Sequence, residues 1–141
     1  MVQIKFKRIS KDAILPKYQT PGSAGFDIHA SEDVTIKPGE CLGVPTGWEV
    51  SFPYGYELQI RSRSSMALMG VNVPTSPGVI DFDYTDELKI LLHNYGNNDY
   101  TVRRGDRIAQ GVLEPILKAQ IIESDFERTT ERKGGFGSTG K

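Results

Sequence analysis

ELKILLHN, residues 87–94, is followed by YGNND (95–99) and then YTV (100–102). The first stretch is a strong strand candidate, the second has the composition of a hairpin loop, and the third resumes a strand. The same punctuation continues in both directions. RGD (104–106) turns into RIAQGVLEPIL (107–117), a further strand. Upstream, YELQI (56–60) alternates, PYG (53–55) is a turn, and ECLGVPTGWEVSF (40–52) reads as one or two strands interrupted by Pro45 and Gly47. DVTI (33–36) leads into a turn at Pro38 and Gly39. At the start of the chain Val2, Ile4 and Phe6 share one face while Gln3, Lys5 and Lys7 share the other, the period of a half-buried strand. A short helix is expected only near SSMALMG (64–70). Many short strands between Gly/Pro turns predict an all-β sandwich or barrel.

The chain has 141 residues, 38% of them hydrophobic, enough for one core and one domain. The formal net charge is -1 with no basic block, which argues against a broad duplex nucleic-acid surface. No apolar run approaches the roughly 18 residues of a membrane span, and MVQIKFKRIS lacks the apolar stretch of a secretion signal. A soluble, intracellular protein is expected. Cys41 is the one cysteine, so neither a disulfide framework nor a thiolate metal cluster is available. His29 and His93 are far apart and lack sequence partners. Cys41, Trp48, Met66 and Met69 are assigned to packing. From about Ser124 the chain becomes charged and then Gly-rich, so residues 1–123 are expected to form the body and 124–141 an extended, mobile arm.

Five stretches do not read as plain strands. AGFD (24–27) offers Asp27, either a loop carboxylate or a partner for an arginine or a metal-bound water. RSSMA (63–67) sets Arg63, Ser64 and Ser65 at a helix start, where unpaired N–H groups attract anions; the plainer reading is a capping serine. GVIDFDY (78–84) carries Asp81, suited to orient a water as a general base, and Tyr84, whose ring could pack on a sugar or base; a β-turn Asp and a surface Tyr are the alternatives. In RGDRIAQ (104–110) Gly105 and Asp106 make a hairpin turn, and Gln110 could bind a phosphate or a water. The tail GGFGSTG (134–140) combines glycines, two hydroxyls and Phe136, with Arg132 just before it. Backbone N–H groups, hydroxyls, a charge and a flat ring are the parts of a lid over a nucleotide.

In this order, AGFDI, RSSMA, GVIDFDY through Glu87, RGDRIAQ and RKGGFGSTG resemble the five motifs of the trimeric dUTPases, over residues 24 to 140. The resemblance implies an all-β jelly roll with one short helix and a C-terminal arm. It implies a homotrimer whose three active sites each draw on all three subunits, with the arm closing over a site. It implies hydrolysis of dUTP to dUMP and pyrophosphate, which limits uracil in DNA and supplies dUMP for dTMP synthesis. Asp81 would hold the water that attacks the α-phosphorus and meet the sugar 3′-hydroxyl. Tyr84 would lie under the deoxyribose and exclude a 2′-hydroxyl. Backbone groups of the hairpin around residues 75 to 84, with Thr75, Gly78, Val79 and Ile80, would read uracil. Ser64, Ser65 and Gln110 would contact phosphates or the water, and Arg63 would anchor both phosphate and Asp27. Arg132, Phe136, Gly137, Ser138 and Thr139 would form the lid, Phe136 stacking on uracil. Mg²⁺ would be held by the triphosphate and waters rather than by direct protein ligands, with Asp27 in its outer shell.

Some positions depart from the family pattern. Ser62, Ser65 and Met66 stand where the second motif has Pro, Gly and Leu. Asp86 replaces a glycine in the third motif, Gly111 replaces an apolar residue after Gln110, and only Lys133 separates Arg132 from the glycine pair. Three other readings compete with the diphosphatase: the related dCTP deaminases, which share the fold, a nucleotide-binding module that signals to partner proteins, and a jelly-roll structural subunit, against which the five ordered motifs argue.

Overall fold

A computed structural model describes residues 1–140. The alternation read from the sequence sets the strands. In β9 (Lys89–Asn94) Ile90, Leu92 and Asn94 point inward, while Lys89 and Leu91 are exposed. β6 (Tyr56–Arg61) buries Leu58 and Ile60 and turns Glu57, Gln59 and Arg61 outward. The other strands are β1 (Lys5–Arg8), β2 (Phe26–His29), β3 (Val34–Ile36), β4 (Cys41–Pro45), β5 (Trp48–Ser51), β7 (Val71–Asn72), β8 (Gly78–Ile80), β10 (Tyr100–Val102) and β11 (Arg107–Pro115). The stretch 40–52 is therefore two strands, parted at Thr46 and Gly47. The single helix among the described residues, α1, is the short turn Ser64–Ala67.

The strands form a four-stranded sheet, β2-β11-β6-β8, a three-stranded sheet, β4-β9-β7, and two ribbons, β1-β5 and β10-β3, all antiparallel where paired. They enclose one core in which Ile28, Ile36, Val44, Leu58, Ile90, Leu92, Val102 and Ile108 are almost wholly shielded. This is the expected all-β jelly roll. No helix is long and apolar enough to cross a membrane among the described residues.

Three turn expectations need correction. YGNND is not a hairpin loop, because β9 pairs with β4 and β7 while β10 crosses to β3. The RGD turn is real, with the Asp106 N–H donating to the Arg103 carbonyl, but β10 and β11 lie in different sheets. Residues 73–77 are likewise a crossover, with a cis Ser76–Pro77 bond, between β7 in one sheet and β8 in another, and β8 pairs with β6 rather than folding into the expected hairpin around residues 75 to 84. Loop composition marks a reversal; it does not say which strand the next one joins.

Of the four packing assignments, those of Trp48 and Met66 hold and those of Met69 and Cys41 do not. Trp48 is buried, and its indole N–H donates to the Ile14 carbonyl at 2.9 Å. Met66 is buried under α1, but Met69 is 65% exposed because the helix ends before it. Cys41 is exposed, at the outward-facing start of β4. Asp27 is a strand residue of β2, not a loop carboxylate. Asp86 does not have a positive φ, since Phe136 is the one non-glycine with positive φ among the described residues.

Gly111 has a packing reason. A Cβ there would meet the Phe26 ring at 2.5 and 2.7 Å and Leu58 Cδ1 at 3.2 Å. The Phe26 ring occupies the space a larger residue would need. Gly111→Ala is expected to destabilise the fold by about 1–3 kcal/mol through overpacking, read as a lower urea midpoint at unchanged slope.

Candidate active site

The outer face of the four-stranded sheet carries the first half of the site. Asp27 on β2 pairs across to Gln110 on β11, and Gln110 to Arg61 on β6. Arg63, just beyond β6, brings its Nε to 3.7 Å from Asp27 Oδ1. Arg63 also donates from Nη1 to the Arg107 carbonyl at 2.9 Å. The Gln110 amide donates to the Ser62 carbonyl at 3.0 Å. A Cβ on Gly25 would come within 2.7 Å of Gln110 Oε1, so the small residue of AGFD leaves room for this amide. Ser62 accepts from the Val73 N–H at 2.9 Å, fastening the start of the crossover loop to β6. The serine standing in for proline thus supplies a tie that proline could not.

Ser64 and Ser65 are exposed on the first turn of α1. Neither caps it: the N-cap residue is Arg63, and no side chain makes the cap hydrogen bond. Both hydroxyls are left facing solvent beside Arg63.

The second half lies around β8. Thr75, Gly78, Val79 and Ile80 line a cavity of about 140 Å³ together with Ile60, Val73, Lys89 and Leu91. A Cβ on Gly78 would meet Thr75 Oγ1 at 3.0 Å and Ile60 Cβ at 3.2 Å, so the backbone runs close to its neighbours here. Asp81 follows β8 and is exposed; its carbonyl accepts from the Tyr84 N–H at 3.1 Å, closing a turn. Tyr84 donates its hydroxyl to the Glu87 carbonyl at 2.8 Å, while Glu87 Oε2 accepts from the Gly47 N–H. In the isolated chain the turn Asp and partly exposed Tyr of the plainer reading are both present.

Gly78 and Thr75 lie near the first half, since Gly78 pairs with Ile60 and the Val73 N–H donates to Ser62, but Asp81 is set apart from it. Ile80 pairs with Leu58 and Gly78 with Ile60, so Asp81 continues toward the level of Glu57. Gln110 and Asp27 sit at the level of Arg61. Four strand residues separate the levels, ~13 Å at about 3.3 Å per residue. The chain therefore does not bring Asp81 together with Asp27, Arg63 and Gln110.

Among the described residues no hydrogen bond or ion pair ties the tail to either half. Beyond Ile116, whose N–H donates to the Gly55 carbonyl, no strand or helix forms among the described residues. Arg132, Phe136, Gly137, Ser138 and Thr139 are exposed. Gly134, Phe136 and Gly137 have positive φ, and the Ser138 N–H donates to the Gly135 carbonyl, so the Gly-rich end is a tight local turn.

Two phenols have raised pKa values. Partial burial, then the charges of Asp86 and Glu87, raise that of Tyr84 above 10.0. Burial and Asp106 raise that of Tyr100, partly offset by Arg63. The folded chain holds these protons more tightly than the unfolded chain. Their contribution to stability is present below about pH 10 and is lost as pH rises through the folded values. Of the six tyrosines, at least two are expected to ionise above that range in a 295 nm absorbance titration, one of them absent in Tyr84→Phe.

Asp27 lies under two guanidiniums, because Arg107 Nη1 also approaches its Oδ2, at 3.4 Å. Sequence reasoning missed Arg107. The available signal was the break in alternation at RIAQ, where Ile108 and Ala109 are consecutive apolar residues.

A family model described as dUTPase matches residues 11–140. The deoxyuridine 5'-triphosphate nucleotidohydrolase of Nautilia profundicola is 46% identical over 142 residues, covering 99% of this chain and all of that protein. That of Helicobacter pylori strain P12 is 49% identical over 141 residues, covering 99% and 97%. The Staphylococcus bacteriophage 80alpha dUTPase, solved with dUPNHPP, superposes with a TM-score of 0.89 at 28% identity, over 98% of each chain.

Proposed function

Because this chain belongs to the dUTPase family, we propose that it hydrolyses dUTP to dUMP and pyrophosphate, in a homotrimer that assembles each site from several subunits. The observation that carries the shared site is the separation of its parts. Asp27, Arg63 and Gln110 gather at one end of β6, Asp81 and Tyr84 lie toward the other, and among the described residues no hydrogen bond or ion pair ties the arm to either. A second and third copy supply what one chain holds apart.

In this reading Asp81 accepts a proton from a water as that water attacks the α-phosphorus. The bond to the β-phosphate breaks, and pyrophosphate leaves opposite the attacking oxygen. Arg63, Ser64, Ser65 and Gln110 orient the phosphates or the water. Thr75, Gly78, Val79 and Ile80 read uracil, leaving groups unpaired if cytosine enters. Tyr84 underlies the deoxyribose. Residues 124–141 act as the arm, Arg132, Ser138, Thr139 and Gly137 meeting the outer phosphates and Phe136 stacking on the base.

The donor set fits a substrate-borne magnesium ion. Asp27, its side chain 15% exposed, is already held by two arginines and is suited to accept from a metal-bound water. No group of three or more His, Cys, Asp or Glu side chains gathers among the described residues. Mg²⁺ on the triphosphate would neutralise charge and align the leaving group. The product dUMP would serve dTMP synthesis, and removal of dUTP would limit uracil in DNA, both inside the cell.

The test is a panel of dUTP, dCTP, dTTP and UTP with Mg²⁺, products separated by chromatography, beside sedimentation of the protein. Formation of dUMP and pyrophosphate from dUTP alone, by a trimer, is expected. Deamination of dCTP would move the chain to the deaminase branch. Binding without turnover would make it a binding module.

A further inference from the structure

The pairing between β2 and β11 contains an irregularity. Gln110 faces Asp27 and Ala109 faces Ile28, but Arg107, not Ile108, faces His29. One extra residue on β11 is absorbed as a bulge, and such bulges re-aim side chains. Ile108 and Ala109 are both buried, at 1% and 0% exposure. In a regular ladder one of two consecutive residues would face outward. Asp27 and His29 lie on the outer face of β2, between buried Phe26, Ile28 and Ala30. By pairing with His29, Arg107 is turned onto that same face, where it reaches Asp27.

One carboxylate thus carries two cations. Arg63 Nε lies 3.7 Å from Oδ1 and Arg107 Nη1 3.4 Å from Oδ2. Removing the last partner from a largely buried carboxylate is costly. If Arg63 were the sole partner of Asp27, any shift of its guanidinium toward phosphate would weaken the pairing of that charge. The Arg63 and Arg107 side chains are 23% and 48% exposed, so Arg63 is the more enclosed of the two. Arg63 is also tied to the Arg107 carbonyl, which couples the two residues directly.

We propose that Arg107 is a positioning residue: it keeps Asp27 paired so that Arg63 can be handed to the substrate phosphates. This rests on the dUTP reading for the identity of the phosphates. The bulge is the device that makes a second cation available without lengthening the chain elsewhere.

The experiment is a double-mutant cycle in the full-length protein, with Arg107→Gln, Asp27→Asn and the pair, plus Arg107→Lys, each assayed with dUTP and Mg²⁺. Arg107→Gln is expected to raise KM about tenfold, the loss of one charge-assisted contact, with kcat changed by less than about threefold. Arg107→Lys, which keeps one donor and the charge, is expected to recover most of that loss. In the Asp27→Asn background there is no carboxylate to keep paired, so Arg107→Gln should change KM by less than about twofold. Equal losses in both backgrounds would overturn the proposal, because Arg107 would then act on substrate directly or through the general field. A fall in Tm with kcat and KM degrading together would overturn it in favour of a purely structural role. If the unaltered chain fails to hydrolyse dUTP, the functional reading fails. The same cycle, read by binding of inorganic tripolyphosphate, still decides the matter: equal losses, or no binding at all, count against Arg107.

Discussion

Asp81→Asn is expected to lower kcat for dUTP by about 10²–10⁴-fold, the range for loss of a general base, while a non-hydrolysable dUTP analogue binds within a few-fold of its usual affinity. Asparagine matches the shape of aspartate and can still accept a hydrogen bond from the sugar 3′-hydroxyl. It cannot take up a proton from water. The fold should not notice the change. Asp81 is exposed, and its tie to the turn is its backbone carbonyl, which the substitution keeps. An unaltered Tm is therefore part of the expected result. Turnover near the unaltered rate would mean that another group activates the water, with Asp27 and Gln110 the next to replace.

The prediction also tests the assembly. Within one chain Asp81 is ~13 Å along the sheet from the level of Gln110, at about 3.3 Å per residue. A site that needs both must be built from different copies. Mixing Asp81→Asn chains with chains altered at Arg63 should then restore a fraction of the activity that neither variant has alone. A site confined to one chain would show no such recovery.

Individual strands were legible because each needed only its own alternation. Ile90 and Leu92 in β9 and Leu58 and Ile60 in β6 fall inward on period two whichever strand they pair with. Pairing was not legible, because it depends on shape matching between distant segments. The partner of β10 is β3, with Tyr100 opposite Ile36, and nothing in YGNND specifies that crossing. Asn94 shows what the crossing requires: its buried amide donates to the Ile36 and Asn98 carbonyls and its oxygen accepts from Gly96, tying the loop down by side-chain bonds. The motifs gave Asp27 and Arg63, and the structure sets them against each other. Arg107 stayed hidden because a bulge breaks the pattern by which faces are assigned. Cys41 and Met69 were misjudged for a simpler reason. Residue type favours burial for both, and their positions, at a strand start and just past a one-turn helix, do not.

Deleting residues 133–141 is expected to leave a folded assembly with at least about 100-fold less activity, since even one aligned donor in such a site is worth that much. The structural half of this expectation follows from what the segment touches. Among the described residues no hydrogen bond or ion pair joins 117–140 to the body, and Phe136 is fully exposed. A stretch that buries nothing in the free chain should change its stability by no more than about 0.5 kcal/mol when removed. The functional half follows from composition. Four glycines and an exposed ring are a poor investment for a segment that acts alone. They suit one that orders over a polyanion, where backbone N–H groups and hydroxyls find acceptors and closure excludes water. Phe136→Ala separates the parts of the lid: losing the stacking ring should raise KM more than it lowers kcat, whereas truncation removes the phosphate contacts too and should depress both. Equal activity of the full and truncated chains would leave the glycine-rich end without a role in the reaction and would move the search for phosphate donors back to Arg63, Ser64 and Ser65.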